Sequence, residues 1–88
     1  MLSASEIEGI IGTIQRMFVM SAGAVEHGDW VTYFELDTQI EAALLYLRLQ
    51  VPDPQTCHQL GGIADSLRIR RQLVIKYVEL SVPVVGQA

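Results

Sequence analysis

The sequence predicts an all-α fold, an antiparallel three-helix hairpin or bundle with a long third helix. Apolar residues recur every three or four positions through three long segments, which is the spacing of one face of an α-helix. Gly28 and the stretch from Pro52 to Pro54 separate these segments, and no alternating apolar run is long enough to build a sheet. We therefore expect helices over about 4–27, 30–50 and 54–81. Together they form one domain over 1–83, followed by a short C-terminal tail over 84–88.

The first helix has a clear start signal. Ser3 and Glu6 have the spacing of a capping box, in which each side chain satisfies a free backbone amide of the other residue. Val19 and Met20 widen the apolar face near the end of this helix, so we expect it to contact two neighbours. The positions of the apolar stripe are Ile7, Ile10, Ile11, Ile14, Met17, Phe18, Ser21, Ala24 and Val25.

The tripeptide Gly28-Asp29-Trp30 predicts the first reversal of the chain. Glycine ends a helix easily because it adopts positive φ without strain, and the Asp29 carboxylate can accept the free amides of the next helical turn. Trp30 then begins the apolar stripe of the second helix, which continues through Tyr33, Leu36, Ile40, Leu44 and Leu47. We assign five residues to this structural corner: Gly28, Asp29, Trp30, Tyr33 and Leu36.

The third helix is predicted to start at Pro54 and to stop before Pro83. Asp53 is a good N-cap, and proline is favoured at the first helical position. Gly61 and Gly62 each cost roughly 1 kcal/mol relative to alanine inside a helix, and we expect one nearly continuous helix with a bend there. A helix of about 28 residues spans about 42 Å, so we expect it to overhang the other two.

Composition and charge indicate which kinds of partner and which cellular compartment to expect. Of the 88 residues, 50% are hydrophobic, and a chain this short buries a smaller share of its surface than a large one. We therefore expect a partner or a second copy to cover some of the apolar surface, and we expect a homodimer. The net charge of −4 argues against a nucleic-acid partner. Cys57 is the single cysteine, the N-terminus lacks an early basic cluster, and the apolar runs are too short to cross a bilayer. We expect a cytoplasmic protein without a membrane partner.

Charge is unevenly distributed along the chain. The middle is acidic and the last third is basic, which favours antiparallel helices with complementary flanks over a phosphate-binding patch. Arg71 lies inside an apolar stripe, where it either pairs with an acidic residue of another helix or of a partner, or snorkels at the edge of the core. The pair Asp37 and Glu41 shares one helix face, which we interpret as a solvated face. The basic residues of the last third are Arg68, Arg70, Arg71 and Lys76.

The sequence offers no catalytic constellation. Cys57 and His58 are adjacent, so on a helix their side chains point about 100° apart, which is poor geometry for a dyad or a shared metal. His27 falls in the last turn of the first helix, where an imidazolium favours the helix dipole. No phosphate-binding loop, nucleophile elbow or zinc spacing is present. We therefore expect no enzyme activity, no metal and no cofactor.

The stretch from Gly28 to Asp37 resembles the FliT family of bacterial flagellar export chaperones. Trp30, Leu36 and Asp37 match the family's glycine-acid-tryptophan turn and the leucine-type and acidic positions after it, whereas Tyr33 stands where an aliphatic residue is usual. Family members often continue into a further C-terminal helix that gates partner binding, whereas this sequence ends soon after its third helix. That helix is similar to the family's long helix ending in a Glu-Leu pair, through Leu73, Val74, Tyr77, Val78, Glu79 and Leu80.

The resemblance implies a non-catalytic cytoplasmic chaperone of type III export. Its client is expected to be the C-terminal region of the filament-cap protein FliD, which it keeps from premature assembly and delivers to the export apparatus. Some relatives also bind the flagellar master regulator. On this hypothesis we assign eight residues of the third helix to partner binding, the apolar ones as a docking surface and the basic ones as orienting charges. They are Arg68, Arg71, Leu73, Val74, Lys76, Tyr77, Val78 and Leu80.

Other functions fit the same residues. A small co-chaperone of another secretion system would use the same surface for a different client. A structural dimerisation module, or an antitoxin-like partner, would bury its apolar faces entirely against itself. An enzyme would require an unexpected site around Cys57 and His58.

Overall fold

Three consecutive helices make up the fold, as a computed structural model of the chain shows for residues 2–51 and 53–81. They are α1 (Ala4–Glu26), α2 (Trp30–Gln50) and α3 (Pro54–Ser81), and no strand occurs among the residues described. α1 packs along α2 and α2 packs against α3, with short connections that make successive helices antiparallel. The predicted all-α three-helix fold is therefore confirmed. The predicted tail over 84–88 lies outside the described residues.

Local capping explains where the helices begin and end. The Ser3 hydroxyl accepts the amide of Glu6 at 3.1 Å, and the amide of Ser3 donates to the Glu6 carboxylate at 3.3 Å, which completes the capping box. Gly28 has a φ of +68°, the left-handed conformation that glycine adopts without strain. The Asp29 carboxylate then accepts the amide of Thr32 at 3.3 Å and caps α2.

Two apolar clusters form the core, and a polar layer separates them. The larger cluster consists of Ile14, Ile40, Leu44, Leu47, Leu60 and Leu67. The smaller one, the corner cluster, consists of Ala24, Tyr33 and Val74, with Val25, Trp30, Phe34 and Val78 packed against it. Ser21 of α1, Asp37 of α2 and Arg70 and Arg71 of α3 fall between the two clusters in each helix, and these four residues are called the polar layer below.

α3 is continuous through Gly61 and Gly62. A Cβ atom at either position would meet nothing within 4 Å, so no close packing requires glycine there. At its far end α3 reaches the corner cluster, where the rings of Tyr77 and Trp30 lie 5.8 Å apart. Leu80 is 80% exposed and extends beyond these contacts, which limits the overhang to the last turn. None of the described helices combines the length and the apolar character needed to cross a membrane.

Candidate partner-binding surfaces

The eight residues predicted to bind a partner do not form one surface. Val74 is 6% exposed and belongs to the corner cluster, and Val78 packs against that cluster. Their assignment to a partner surface is corrected, because Val74 lies seven residues after Leu67 and so shares the face of α3 that points into the core. The other six residues divide between the two sides and the outer face of α3.

Arg71 points toward α2 and is bound within the chain. Its Nε lies 2.5 Å from Oδ2 of Asp37, and its Nη2 lies 2.8 Å from Oε2 of Glu41. Burial alone would lower the pKa of Arg71, but the hydrogen bonds to Glu41 and Asp37 raise it. Of the alternatives for Arg71, pairing with acidic residues of another helix is the one that occurs. The interpretation of Asp37 as part of a solvated face is wrong, since only 3% of this residue is exposed.

Arg68 also lies on the α2 side of α3, away from the apolar residues that it was predicted to accompany. Its Nη2 lies 2.5 Å from Oδ1 of Asp65, and both side chains are well exposed. Such surface pairs contribute only about 0–1 kcal/mol. Arg68 and Leu73 are five residues apart, which places them about 140° apart around the helix. The arginines and the apolar side chains thus belong to different surfaces.

Arg70 points to the other side, toward α1. Its Nη2 donates to Oγ of Ser21 at 2.7 Å, and its guanidinium carbon lies 4.3 Å from the centre of the Phe18 ring and 5.4 Å from that of Tyr33. A cation over an aromatic ring is attracted to the negative face of the ring. Sequence reasoning placed Arg70 among the basic residues of the last third and did not find this contact. The signal was Ser21, a polar residue in the middle of the apolar stripe of α1.

Tyr33 connects the polar layer with the corner cluster. It is fully buried, and burial, followed by the nearby Asp37 carboxylate, raises the pKa of its phenol. Its hydroxyl, Oδ1 of Asp37 and Nε of Arg70 are buried without a hydrogen-bond partner among the described residues. Unsatisfied buried polar atoms are costly, so these three atoms reduce the stability that the polar layer contributes.

Four large apolar side chains of α3 remain exposed on one face, which we call the α3 stripe: Ile69, Leu73, Tyr77 and Leu80. Their exposed fractions are 57%, 64%, 60% and 80%. Successive residues are rotated by about 100° around the helix, so Leu73 lies about 60° from Arg70, on the side away from the core. Because Arg70 points toward α1, the stripe flanks the side of α3 that contacts α1. Lys76 is exposed at the outer edge of the stripe.

A groove between α1 and α3 leads toward the stripe. It has a volume of about 250 Å³ and is lined by Ile14, Gln15, Phe18, Ile63 and Ser66. Ser66 lies seven residues before Leu73 on the same face of α3, so the groove continues into the stripe. The groove and the α3 stripe together form one continuous surface, which we call the apolar track. The small residue Ser66 lies at its groove end, and the large residues of the stripe lie at the other end.

Cys57 and His58 are the remaining candidates for chemistry. The Cys57 thiol donates to the backbone carbonyl of Val51 at 3.2 Å, and His58 is exposed beside it. Across residues 2–51 and 53–81, no three side chains of histidine, cysteine, aspartate or glutamate gather in a way that could hold a metal ion.

Comparison with protein-family models, with curated proteins and with solved structures finds no match.

Proposed function

We propose that this protein is a non-catalytic chaperone that binds an amphipathic helix of a partner along the α3 stripe. The observation that carries the proposal is the stripe itself, because four large apolar side chains face solvent on a helix that packs into the core with a different face. Exposed apolar surface of this kind marks interaction sites. A partner helix with apolar residues at helical spacing is the matching shape for such a track.

Burial of the α3 stripe alone does not provide enough free energy for tight binding of a partner. Full burial of four such side chains contributes roughly 6–12 kcal/mol. Association costs about 4–15 kcal/mol in lost freedom of motion, so the stripe alone gives weak binding. The adjoining groove beside Phe18 supplies further apolar area, and Lys76 offers a charge that orients an acidic residue of the partner.

The resemblance of the corner and of α3 to the FliT family supports a particular client. On this basis the partner is the C-terminal region of the filament-cap protein FliD, held in the cytoplasm until it reaches the type III export apparatus. A co-chaperone of another secretion system would use the same track for a different client.

The test is co-expression with the FliD homologue encoded in the same genome, followed by size-exclusion chromatography with light scattering. We expect a stable complex that is lost when the C-terminal segment of the cap protein is deleted. The double variant Leu73→Ser/Leu80→Ser should lose the complex and keep its helical circular dichroism, since both residues are more than half exposed.

Val31→Ser is the matched control, because Val31 is 71% exposed on α2, away from the stripe. This variant should retain the complex. If wild-type protein forms no complex, the FliD assignment is wrong. If the complex forms but survives the double variant, the client binds elsewhere and the α3 stripe is not its site.

A further inference from the structure

The outer face of α2 carries a second set of exposed apolar side chains, which we call the α2 face. Val31, Leu45 and Leu49 are 71%, 59% and 76% exposed, and Ala42 is exposed between them. Val31 and Leu49 each lie nine residues from the fully buried Ile40, which places them on the opposite side of the helix. The face therefore points away from the core, and its second half from Ala42 to Leu49 is the more continuous.

One edge of the α2 face carries two opposite charges. Glu41 and Arg48 are seven residues apart, so they lie on the same side of α2, beside the groove of about 220 Å³ that they line with residues of α3. Arg48 makes no ion pair with any residue that the structure describes. Glu41 is bound to Arg71 through one oxygen, yet its side chain is still 61% exposed.

We propose that a second copy of this chain covers the second half of the α2 face, from Ala42 to Leu49, with the two α2 helices antiparallel and Leu45 near the two-fold axis. A two-fold interface must be self-complementary, because the same patch meets itself. With Leu45 at the axis, Ala42 of one protomer lies beside Leu49 of the other. A small residue against a large one gives the alternation that close helix packing requires.

The charges select the antiparallel orientation. In an antiparallel two-fold pair each edge of a helix meets the same edge of its partner, so Glu41 of one protomer faces Arg48 of the other, twice per dimer. In a parallel pair the Glu41 edge would meet the opposite edge, where Gln39 and Tyr46 lie and where Glu35 is thirteen residues from Arg48, too far along the helix to pair with it. Only the antiparallel pair therefore provides Arg48 with an ionic partner.

This dimer is independent of client binding. The α3 stripe flanks the α1 side of α3, whereas the α2 face lies on the outer side of α2, so pairing through α2 leaves both stripes of the dimer exposed. The proposal thus predicts a dimer with two separate client sites. A client-binding failure and a dimerisation failure are distinguishable, because each depends on its own residues.

Site-specific cross-linking tests the orientation. In a Cys57→Ser background, single cysteines are introduced at exposed positions of α2 and treated with a short bifunctional thiol reagent. Leu45→Cys should cross-link with itself, whereas Val31→Cys should not, because it lies far from the axis. A mixture of the single variants Ala42→Cys and Leu49→Cys should give a cross-link between the two variants, because these positions face each other only in the antiparallel pair. Self-linking of Val31→Cys with equal yield would indicate a parallel pair and overturn the proposal.

Light scattering of the isolated protein tests whether the α2 face is the dimer interface. Wild-type protein should be dimeric, Leu45→Glu should be monomeric with unchanged helical circular dichroism, and Arg48→Glu should weaken the dimer about tenfold by replacing two attractions with two repulsions. Leu73→Ser/Leu80→Ser should remain dimeric. A monomeric wild type overturns the proposal, and so does a dimer that Leu45→Glu leaves intact.

Discussion

Replacing Arg71 by methionine removes the cation that faces Asp37 and leaves a carboxylate buried at 3% exposure. Breaking a buried ion pair in this way typically costs about 3–5 kcal/mol. Because 27% of the Arg71 side chain is exposed and water can reach the pair, we take the lower end, about 3 kcal/mol. A domain of this length has a total stability of roughly 4–13 kcal/mol, so the loss is a large fraction of the whole.

Urea unfolding followed by circular dichroism measures this loss. With a slope of about 1–3 kcal/mol per molar urea, the midpoint of Arg71→Met should fall by roughly 1–3 M. The control is Glu41→Gln, whose exposed carboxylate contributes about 1 kcal/mol or less. The double variant Asp37→Leu/Arg71→Met should cost clearly less than the sum of its two single variants, because it leaves no unpaired charge. Additive costs, or an Arg71→Met loss no larger than that of Glu41→Gln, would refute the reasoning.

Three further predictions concern the ends and interior of the helices. Gly28→Ala should lower the free energy of unfolding by about 1 kcal/mol, because alanine is strained at a φ of +68°. Gly62→Ala should raise it by a similar amount, because alanine favours the helix and its Cβ meets nothing within 4 Å. Thermal melts compare the two variants. Hydrogen bonds from Thr32 and Thr56 lower the pKa values of the capping residues Asp29 and Asp53, so their contribution is present above the ordinary aspartate pKa and is lost as the pH falls through the lowered values. Accordingly, Asp29→Asn/Asp53→Asn should reduce the acid-side slope of the melting temperature against pH. Tyr33→Phe should leave stability unchanged or raise it in a urea titration, since its buried hydroxyl has no partner among the described residues; a loss above about 1 kcal/mol would show that the hydroxyl is bonded in solution.

The helices were predictable because their signals are local. The Ser3 capping box, the positive φ of Gly28 and the Asp29 cap each depend on residues within a few positions of one another, and all three occur as the sequence indicates. The continuity of α3 through Gly61 follows from the strong apolar pattern on both sides of it.

The partner surface was harder to predict because α3 is apolar on more than one face. Leu73 and Val74 are neighbours in sequence, yet one is 64% exposed and the other 6% exposed, and only the rotation of α3 against α1 and α2 decides between them. The pairing of Asp37 with Arg71 was accessible in principle. Each is a charged residue inside an apolar stripe, and two such residues on adjacent antiparallel helices satisfy one another.

The polar layer limits how α3 can slide along the hairpin of α1 and α2. A displacement of one helical turn, about 5.4 Å, would carry Arg71 away from Asp37 and place each charge against apolar side chains, one in the larger cluster and one in the corner cluster. The apolar side chains alone would resist such a shift less, since cores tolerate rearranged apolar side chains of similar total volume. The buried charges therefore set the position of α3 along the hairpin. In this position Leu73 and Leu80 are exposed to solvent.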